Sequence, residues 1–330
     1  MRKIKIAMLL TKATRDRCFS KAAIVRMKAI GPVSGLAIDK LDPALMQKTL
    51  QDADAAITGW GTPMLSEDLL AGATRLKYVL HSAGSVKNTL CEAGWRRGIR
   101  VTTTSAALGI SVAEFTLGLL LVGLPRGFAL AWRTRKGHWW ECDSTQNKGM
   151  HRTTIGVVGA GFAGRHVIRL LKPFGVTVLL YDPYVTKMQA TEMGVVKTDL
   201  NTLMRKSDAV TIHAPSIPET GKMINARNLA LMKQGALLIN TSRGSLIDEA
   251  ALADVLAAGK IFACLDVTDP EPPAVNSPFR KSENVFLTPH ISGTGSALRQ
   301  GDYVVADLEA FAAGKKPAYE LKFEMLARMA

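Results

Sequence analysis

Arg243, Glu271 and His290 each stand a few residues beyond a short apolar run, in Ile239-Asn-Thr-Ser-Arg243, Leu265-Asp-Val-Thr-Asp-Pro-Glu271 and Leu287-Thr-Pro-His290. A guanidinium at a strand end can grip a carboxylate through two parallel hydrogen bonds. Taken singly, each residue has a plainer reading. Arg243 could form a surface salt bridge, Glu271 could be a loop carboxylate between prolines, and His290 could cap a turn. Their joint placement at successive strand ends favours chemistry, provided that the preceding chain builds a sheet with a ligand at that edge.

The stretch 154–182 supplies that sheet and suggests the ligand. It reads Thr-Ile-Gly-Val-Val-Gly-Ala-Gly-Phe-Ala-Gly-Arg, then an apolar run at helical spacing, then Val-Thr-Val-Leu-Leu-Tyr-Asp. The pattern is strand, glycine turn, helix, strand and terminal acid. Gly159 permits a sharp turn, Gly161 lets the backbone approach a diphosphate, and Gly164 lets helix and strand pack closely. Phe162 and Ala163 open a helix whose free N–H groups and positive dipole end attract phosphate. Asp182 follows Gly164 by 18 positions, where a carboxylate can accept hydrogen bonds from both ribose hydroxyls and would repel a 2′-phosphate. The stretch therefore reads as a dinucleotide site, for NAD before NADP. A glycine turn between any strand and helix is the plain alternative in a chain of 28 glycines.

The wider sequence bounds the class. At 330 residues the chain suits two domains, and 47% hydrophobic with 21% charged residues is ordinary for a soluble enzyme. The net charge of +14 is dispersed. Its densest cluster, Arg133-Thr-Arg135-Lys136 beside Trp139-Trp140, reads as a solvated arm or subunit contact rather than a nucleic-acid surface. A positive field also draws small anions. Cys18, Cys91, Cys142 and Cys264 show no metal-binding spacing, so reduced thiols and no metal are expected. Residues 4–10 form a first strand rather than a signal sequence, and Phe115–Leu124 is half a membrane span, hence a buried helix. A cytoplasmic protein with no membrane and no nucleic-acid partner is expected.

Short apolar runs at 4–10, 53–59 and 77–81 alternate with helical stretches. After the apolar helix around 112–124 and a tryptophan-bearing excursion at 126–153, alternation restarts. Strands are expected at 154–158, 176–181, 208–212, 235–240, 261–266 and 285–287, enough for a doubly wound parallel sheet. A final helix over 297–313 would return to the first domain.

With these segments in place, the chain resembles the D-isomer-specific 2-hydroxyacid dehydrogenases, which include phosphoglycerate, glycerate and hydroxypyruvate/glyoxylate enzymes. The resemblance spans nearly the whole chain: Ser82-Ala-Gly84, Arg97-Gly-Ile-Arg-Val101, Ser111-Val-Ala-Glu-Phe115, Gly137-His-Trp139, the glycine motif, Asn240–Gly244, Asp266–Pro272 and Thr288–Gly293. It implies an α/β protein with a Rossmann NAD-binding domain at 105–293, including the 126–153 arm. A smaller flavodoxin-like substrate domain would comprise 1–104 and 294–330. It also implies a catalytic set on Arg243, Glu271 and His290. Arg243 would bind the substrate carboxylate and polarise its carbonyl. His290 would exchange a proton with the substrate oxygen, and Glu271 would orient the imidazole and favour its protonated form. Backbone N–H groups of Ser82, Ala83, Gly84 and Ser85 would meet the carboxylate. Thr241 and Asp266 would line the nicotinamide side, and Ser242, Arg243, His290 and Gly293 would also meet the cofactor. His213 and Ala214 would lie beside it, with a purely structural histidine as the equal alternative for His213. His81 reads as a packed strand-end histidine, with a contribution to specificity as the alternative.

The implied activity is NADH-dependent reduction of a small anionic 2-keto acid by a homodimer, with Trp132, Trp139 and Trp140 as contact residues. The alternative is an NAD-sensing, co-repressor-like binding protein on the same fold. Two departures fall on the substrate side. Ser85-Val86-Lys87-Asn88 stands where many members carry an acid and asparagine, and Thr102-Thr-Thr-Ser-Ala-Ala replaces a segment with asparagine and proline.

Overall fold

The computed structural model describes residues 3–139 and 147–329, so Trp140 and Cys142 lie outside the described residues. The chain divides into two compact units, 1–108 with 294–330, and 109–293. The first boundary falls four residues beyond the expected 104/105, because the helix Ser105–Gly123 begins in the first unit.

In the first unit, β1 (Ile6–Met8), β2 (Val33–Ser34), β3 (Ala55–Thr58), β4 (Tyr78–His81) and β5 (Arg100–Thr103) are parallel, in the order β5-β4-β3-β1-β2. Every residue of β1, β3 and β4 is buried. Helices cover both faces, which is why these strands read as unbroken apolar runs. One face sets Ala7, Ala56, Val79 and Val101 among Met46, Leu50 and Leu69.

The second unit is a seven-stranded parallel sheet of β6 (Thr154–Val158), β7 (Thr177–Tyr181), β8 (Val196–Lys197), β9 (Ala209–Ile212), β10 (Ala236–Asn240), β11 (Ile261–Leu265) and β12 (Val285–Leu287), ordered β12-β11-β10-β9-β6-β7-β8. The order reverses between β6 and β9, and the crevice beyond their carboxyl ends is where such sheets take ligands. β8 was not anticipated; it is a two-residue edge strand with one valine to mark it. Asn240 pairs with Leu265, and Leu265 with Leu287, so the ends of β10, β11 and β12 lie level. Arg243, Glu271 and His290 all follow from that edge.

Two expectations are corrected. The apolar stretch 112–124 was expected to be a buried helix, and it falls largely within the helix Ser105–Gly123. Ala113, Leu119 and Leu120 do enter the core, but Leu121 and Val122 are 43% and 42% exposed. Apolar composition reports no direction, so it could not show that one face lacks a cover. The 126–153 excursion contains the helix Gly127–Arg135, docked on β12 by Phe128 stacked on Phe286 at 3.9 Å and by Arg133 Nη2 on Glu283 Oε1 at 2.5 Å. Trp132 and Trp139 remain exposed.

Beyond Gly293 the chain belongs to the first unit. The helix Ala297–Ala312 lays Val304, Val305 and Leu308 against Ile6, Met8, Tyr78 and Leu80, and β13 (Glu320–Leu321) then pairs antiparallel with β5.

Candidate active site

Asn240 ends β10 and shapes the loop that carries Arg243. Its Oδ1 accepts from Ser242 N at 3.0 Å and its Nδ2 donates to Arg243 O at 2.8 Å. Arg243 Nη1 donates to Ser242 O at 2.8 Å. Burial lowers the guanidinium pKa from its usual value, and the nearby Glu271 charge offsets part of this. Gly244 presses on the next loop: a Cβ there would lie 2.0 Å from the Thr268 carbonyl carbon. Thr268 Oγ1 in turn donates to Pro270 O at 2.8 Å, one residue before Glu271.

His290 Nδ1 and Glu271 Oε1 are 2.8 Å apart, with both side chains more than a third exposed. This pairing fixes the ring through Nδ1 and leaves Nε2 for a ligand. His290 has φ +52, a conformation a non-glycine residue holds only under constraint. The constraint is Asp266, which is 1% exposed. Its backbone carbonyl accepts from His290 N at 2.9 Å. Its Oδ1 accepts from Thr288 Oγ1 at 2.5 Å and Ile291 N at 2.8 Å, and its Oδ2 from Ser292 N at 2.8 Å. Asp266 therefore clamps the loop that bears His290, a role the sequence reading missed. Gly293 closes that loop at the unit boundary.

The glycine turn lies between β6 and the helix Phe162–Leu171. Gly159 has φ +92, and a Cβ there would sit 2.8 Å from Ala214 N and His213 C; one on Gly164 would sit 2.0 Å from Gly159 O. Gly161 has nothing within 4 Å of that position. It opens the helix with no side-chain cap, ahead of the exposed Phe162 and of Ala163. Asp182 follows β7; its Oδ2 accepts from Ala160 N and its Oδ1 from Tyr184 N, both at 2.8 Å. His213 is buried behind the turn, and burial pushes its pKa down to about 4. Its Nε2 meets Thr211 Oγ1 at 2.9 Å, while Nδ1 is buried without a partner among the described residues. Thr241 Oγ1 lies 3.2 Å from Thr116 Oγ1. Gly109 was also missed: a Cβ there would meet Ala163 N at 2.9 Å. A glycine inside an apolar helical run was the available signal.

In the first unit, Ser82 to Ser85 leave β4 as a tight turn. Ser82 N and Oγ both donate to Thr58 O, at 2.7 and 2.8 Å, so Ser82 offers neither donor outward. Ala83, Gly84 and Ser85 retain theirs. His81, expected to be a packed strand-end residue, is buried at 7% exposure and its pKa is pushed down to about 4 by that burial.

Residues 117–292 match the family model for the D-isomer specific 2-hydroxyacid dehydrogenase NAD-binding domain. The chain is 34% identical over 291 residues to a glyoxylate reductase of Aeropyrum pernix, covering 84% of this chain and 87% of that protein. The chain belongs to the D-isomer-specific 2-hydroxyacid dehydrogenase family. It is also similar to a D-3-phosphoglycerate dehydrogenase of Methanocaldococcus jannaschii, 36% identical over 86% of this chain and 54% of that protein. The chain spans about half the length of the curated phosphoglycerate dehydrogenases it matches. A crystal structure of a phosphoglycerate oxidoreductase from Rhizobium etli superposes with a TM-score of 0.80 at 26% identity, covering 96% of this chain and 97% of that one.

Membership in this dehydrogenase family brings a nicotinamide cofactor, and the second unit has features that fit one. The open space over Gly161, the uncapped helix start and the unpartnered His213 Nδ1 sit together around the glycine turn. Backbone N–H groups from Gly161 to Gly164 would hold the diphosphate. Asp182 has one bond on each oxygen and so keeps lone pairs for ribose hydroxyls.

Proposed function

We propose that this dehydrogenase-family protein interconverts a small 2-keto acid and its D-2-hydroxyacid with NAD(H), working chiefly as a reductase. The observation that carries the reading is the 2.8 Å pair of His290 Nδ1 and Glu271 Oε1 on a strand edge level with that of Arg243. Bound nicotinamide would supply the hydride to the substrate C2. The chain's own residues provide the rest. Arg243, partly buried, grips the carboxylate and draws electron density toward the carbonyl oxygen. His290 delivers a proton from Nε2 to that oxygen and recovers it in the reverse direction. Glu271 holds the opposite ring nitrogen so that Nε2 keeps its direction. One hydride and one proton convert the keto acid to the hydroxyacid, so the reaction balances.

The similarity to glyoxylate reductase and phosphoglycerate dehydrogenase supports a glyoxylate, hydroxypyruvate or phosphohydroxypyruvate type of substrate. Asp182 supports NADH over NADPH, since its carboxylate would oppose a 2′-phosphate. Exposed Leu121, Val122, Trp132 and Trp139 support a homodimer through this helix and arm. The free thiols of Cys18, Cys91 and Cys264 are in keeping with a cytoplasmic protein.

The test is oxidation of NADH, with NADPH in parallel, against glyoxylate, hydroxypyruvate, pyruvate, phosphohydroxypyruvate and bulkier 2-keto acids. Turnover that disappears in His290→Ala, with NADH still bound, is expected. Full activity in that variant would refute the assigned role. NADH binding without turnover on any acid would favour an NAD-sensing binding protein. Gel filtration decides the dimer.

A further inference from the structure

The turn after β4 is held from inside by side chains at the end of β5 and just beyond it. Two consecutive carbonyls are engaged. Ala83 O accepts from Thr104 N at 3.2 Å and Thr104 Oγ1 at 3.1 Å. Gly84 O accepts from Thr103 Oγ1 at 2.7 Å and Ser105 Oγ at 2.9 Å.

The hydroxyl protons can be assigned. Thr103 Oγ1 lies within reach of Gly84 O, Ala83 O at 3.2 Å and Ser105 Oγ at 2.8 Å, but it has one proton. The shortest of these contacts, 2.7 Å, takes it to Gly84 O. Its lone pairs then accept from Ser105 N at 3.2 Å. Thr103 therefore ties the turn to the start of the helix Ser105–Gly123. Thr103 and Thr104 are each 1% exposed, so water does not compete for these bonds.

The C=O and N–H of one trans peptide point opposite ways, so the inward carbonyls of Ala83 and Gly84 turn the N–H groups of Gly84 and Ser85 outward. Among the described residues none accepts from the N–H of Ala83, Gly84 or Ser85. Neighbouring backbone N–H groups in a turn form a concave site for an anion. The site has no side-chain charge of its own, so its affinity depends on how rigidly those groups are held.

We propose that Thr103, Thr104 and Ser105 are positioning residues, which lock the turn into a backbone site for the carboxylate of a small 2-oxo acid. This rests on the 2-keto acid reading and adds the residues that make the turn competent. None of the three touches the acid. Each acts through a carbonyl on the far side of the peptide group that does. The stretch Thr102-Thr-Thr-Ser, which departs from the common family segment, is on this account a second way of building the same anion site.

The experiment compares wild type, Thr103→Val, Ser105→Ala and Thr103→Ser in steady-state kinetics at saturating NADH. Oxamate and oxalate binding to the NADH complex is measured by calorimetry in the same proteins. Thr103→Val keeps the shape and removes the hydroxyl. We expect KM for the keto acid and Kd for oxamate to rise about tenfold, with kcat within about twofold and NADH affinity unchanged. Thr103→Ser, which restores a hydroxyl, should recover most of the loss. A merely structural role would lower kcat per mole of protein through loss of folded enzyme and leave KM where it was.

Unchanged KM and oxamate affinity in Thr103→Val overturn the proposal, and so does failure of Thr103→Ser to rescue. If wild type turns over no keto acid, the reductase reading fails separately. The calorimetric arm still decides: weaker oxamate binding in Thr103→Val supports the anion site, and equal binding, or none in wild type, overturns it.

Discussion

Replacing Asp266 with asparagine tests whether the His290 loop is clamped from below. The carboxylate accepts three hydrogen bonds, two on Oδ1 from Thr288 Oγ1 and Ile291 N, and one on Oδ2 from Ser292 N. An asparagine of the same shape keeps one acceptor oxygen. If that oxygen takes the Oδ1 place, its amide NH2 faces the N–H of Ser292, and two donors meet where Ser292 is 4% exposed. Flipping the amide is worse, because two donors then lose their acceptor. Losing one charge-assisted bond and leaving a buried N–H unpaired costs about 2–4 kcal/mol. For a unit of this size that lowers the melting temperature by roughly 5–12 °C. The loop also holds His290 at φ +52, and slackening it should move the imidazole away from Glu271. A fall in kcat/KM of about ten- to a hundredfold is expected, since misplacement by an ångström has effects of that order. Calorimetric scans and steady-state assays of Asp266→Asn read both quantities. A variant that melts within about a degree of wild type and keeps its kcat would show that the loop holds its shape by other means.

Acid should destabilise both units. His81 and His213 are buried neutral, with pKa values pulled down to about 4 from 6.5. As the pH falls from 6.5 toward 4 the unfolded chain gains protons that the folded one refuses. Their contribution is complete above pH 6.5 and is lost across that window, at up to about 1.4 kcal/mol per pH unit for each histidine. Urea unfolding at pH 7, 6 and 5 should lose about 2 kcal/mol per unit by pH 5, and a flat profile would contradict the buried neutral state. The glycines of the phosphate turn should separate cleanly. Gly161→Ala, pointing into open space, should keep wild-type stability and weaken NADH binding at least about tenfold, whereas Gly164→Ala, with its Cβ 2.0 Å from Gly159 O, should lose both. Fluorescence titration of NADH beside thermal melts checks the pair; equal melting of the two variants would refute the packing argument.

The sequence was most readable where one physical demand acted alone. Strands covered on both faces left continuous apolar runs, and the turn glycines each answer a measurable steric limit at Gly159 or Gly164. Arg243, Glu271 and His290 could be picked out because level strand ends impose similar short offsets. What stayed hidden depended on partners distant in the chain. The helix Gly127–Arg135 is fixed by Phe286 and Glu283, which its own periodicity does not announce. The loss of Ser82 as an outward donor depends on the Thr58 carbonyl, and the clamp on the His290 loop depends on three donors more than twenty residues beyond Asp266. A two-residue edge strand such as β8 carries too little pattern to be found at all.

Gly109 also limits how the chain can be dissected or recombined. It is the first residue of the second unit, and its bare α-carbon lies against the backbone of Phe162 and Ala163. A chimera joined at residue 117, where the family match begins, would inherit whatever residue its donor carries at this place, and any side chain there would wedge into the phosphate turn. The second unit is therefore a transferable module only when eight residues of seemingly anonymous helix, 109–116, travel with it.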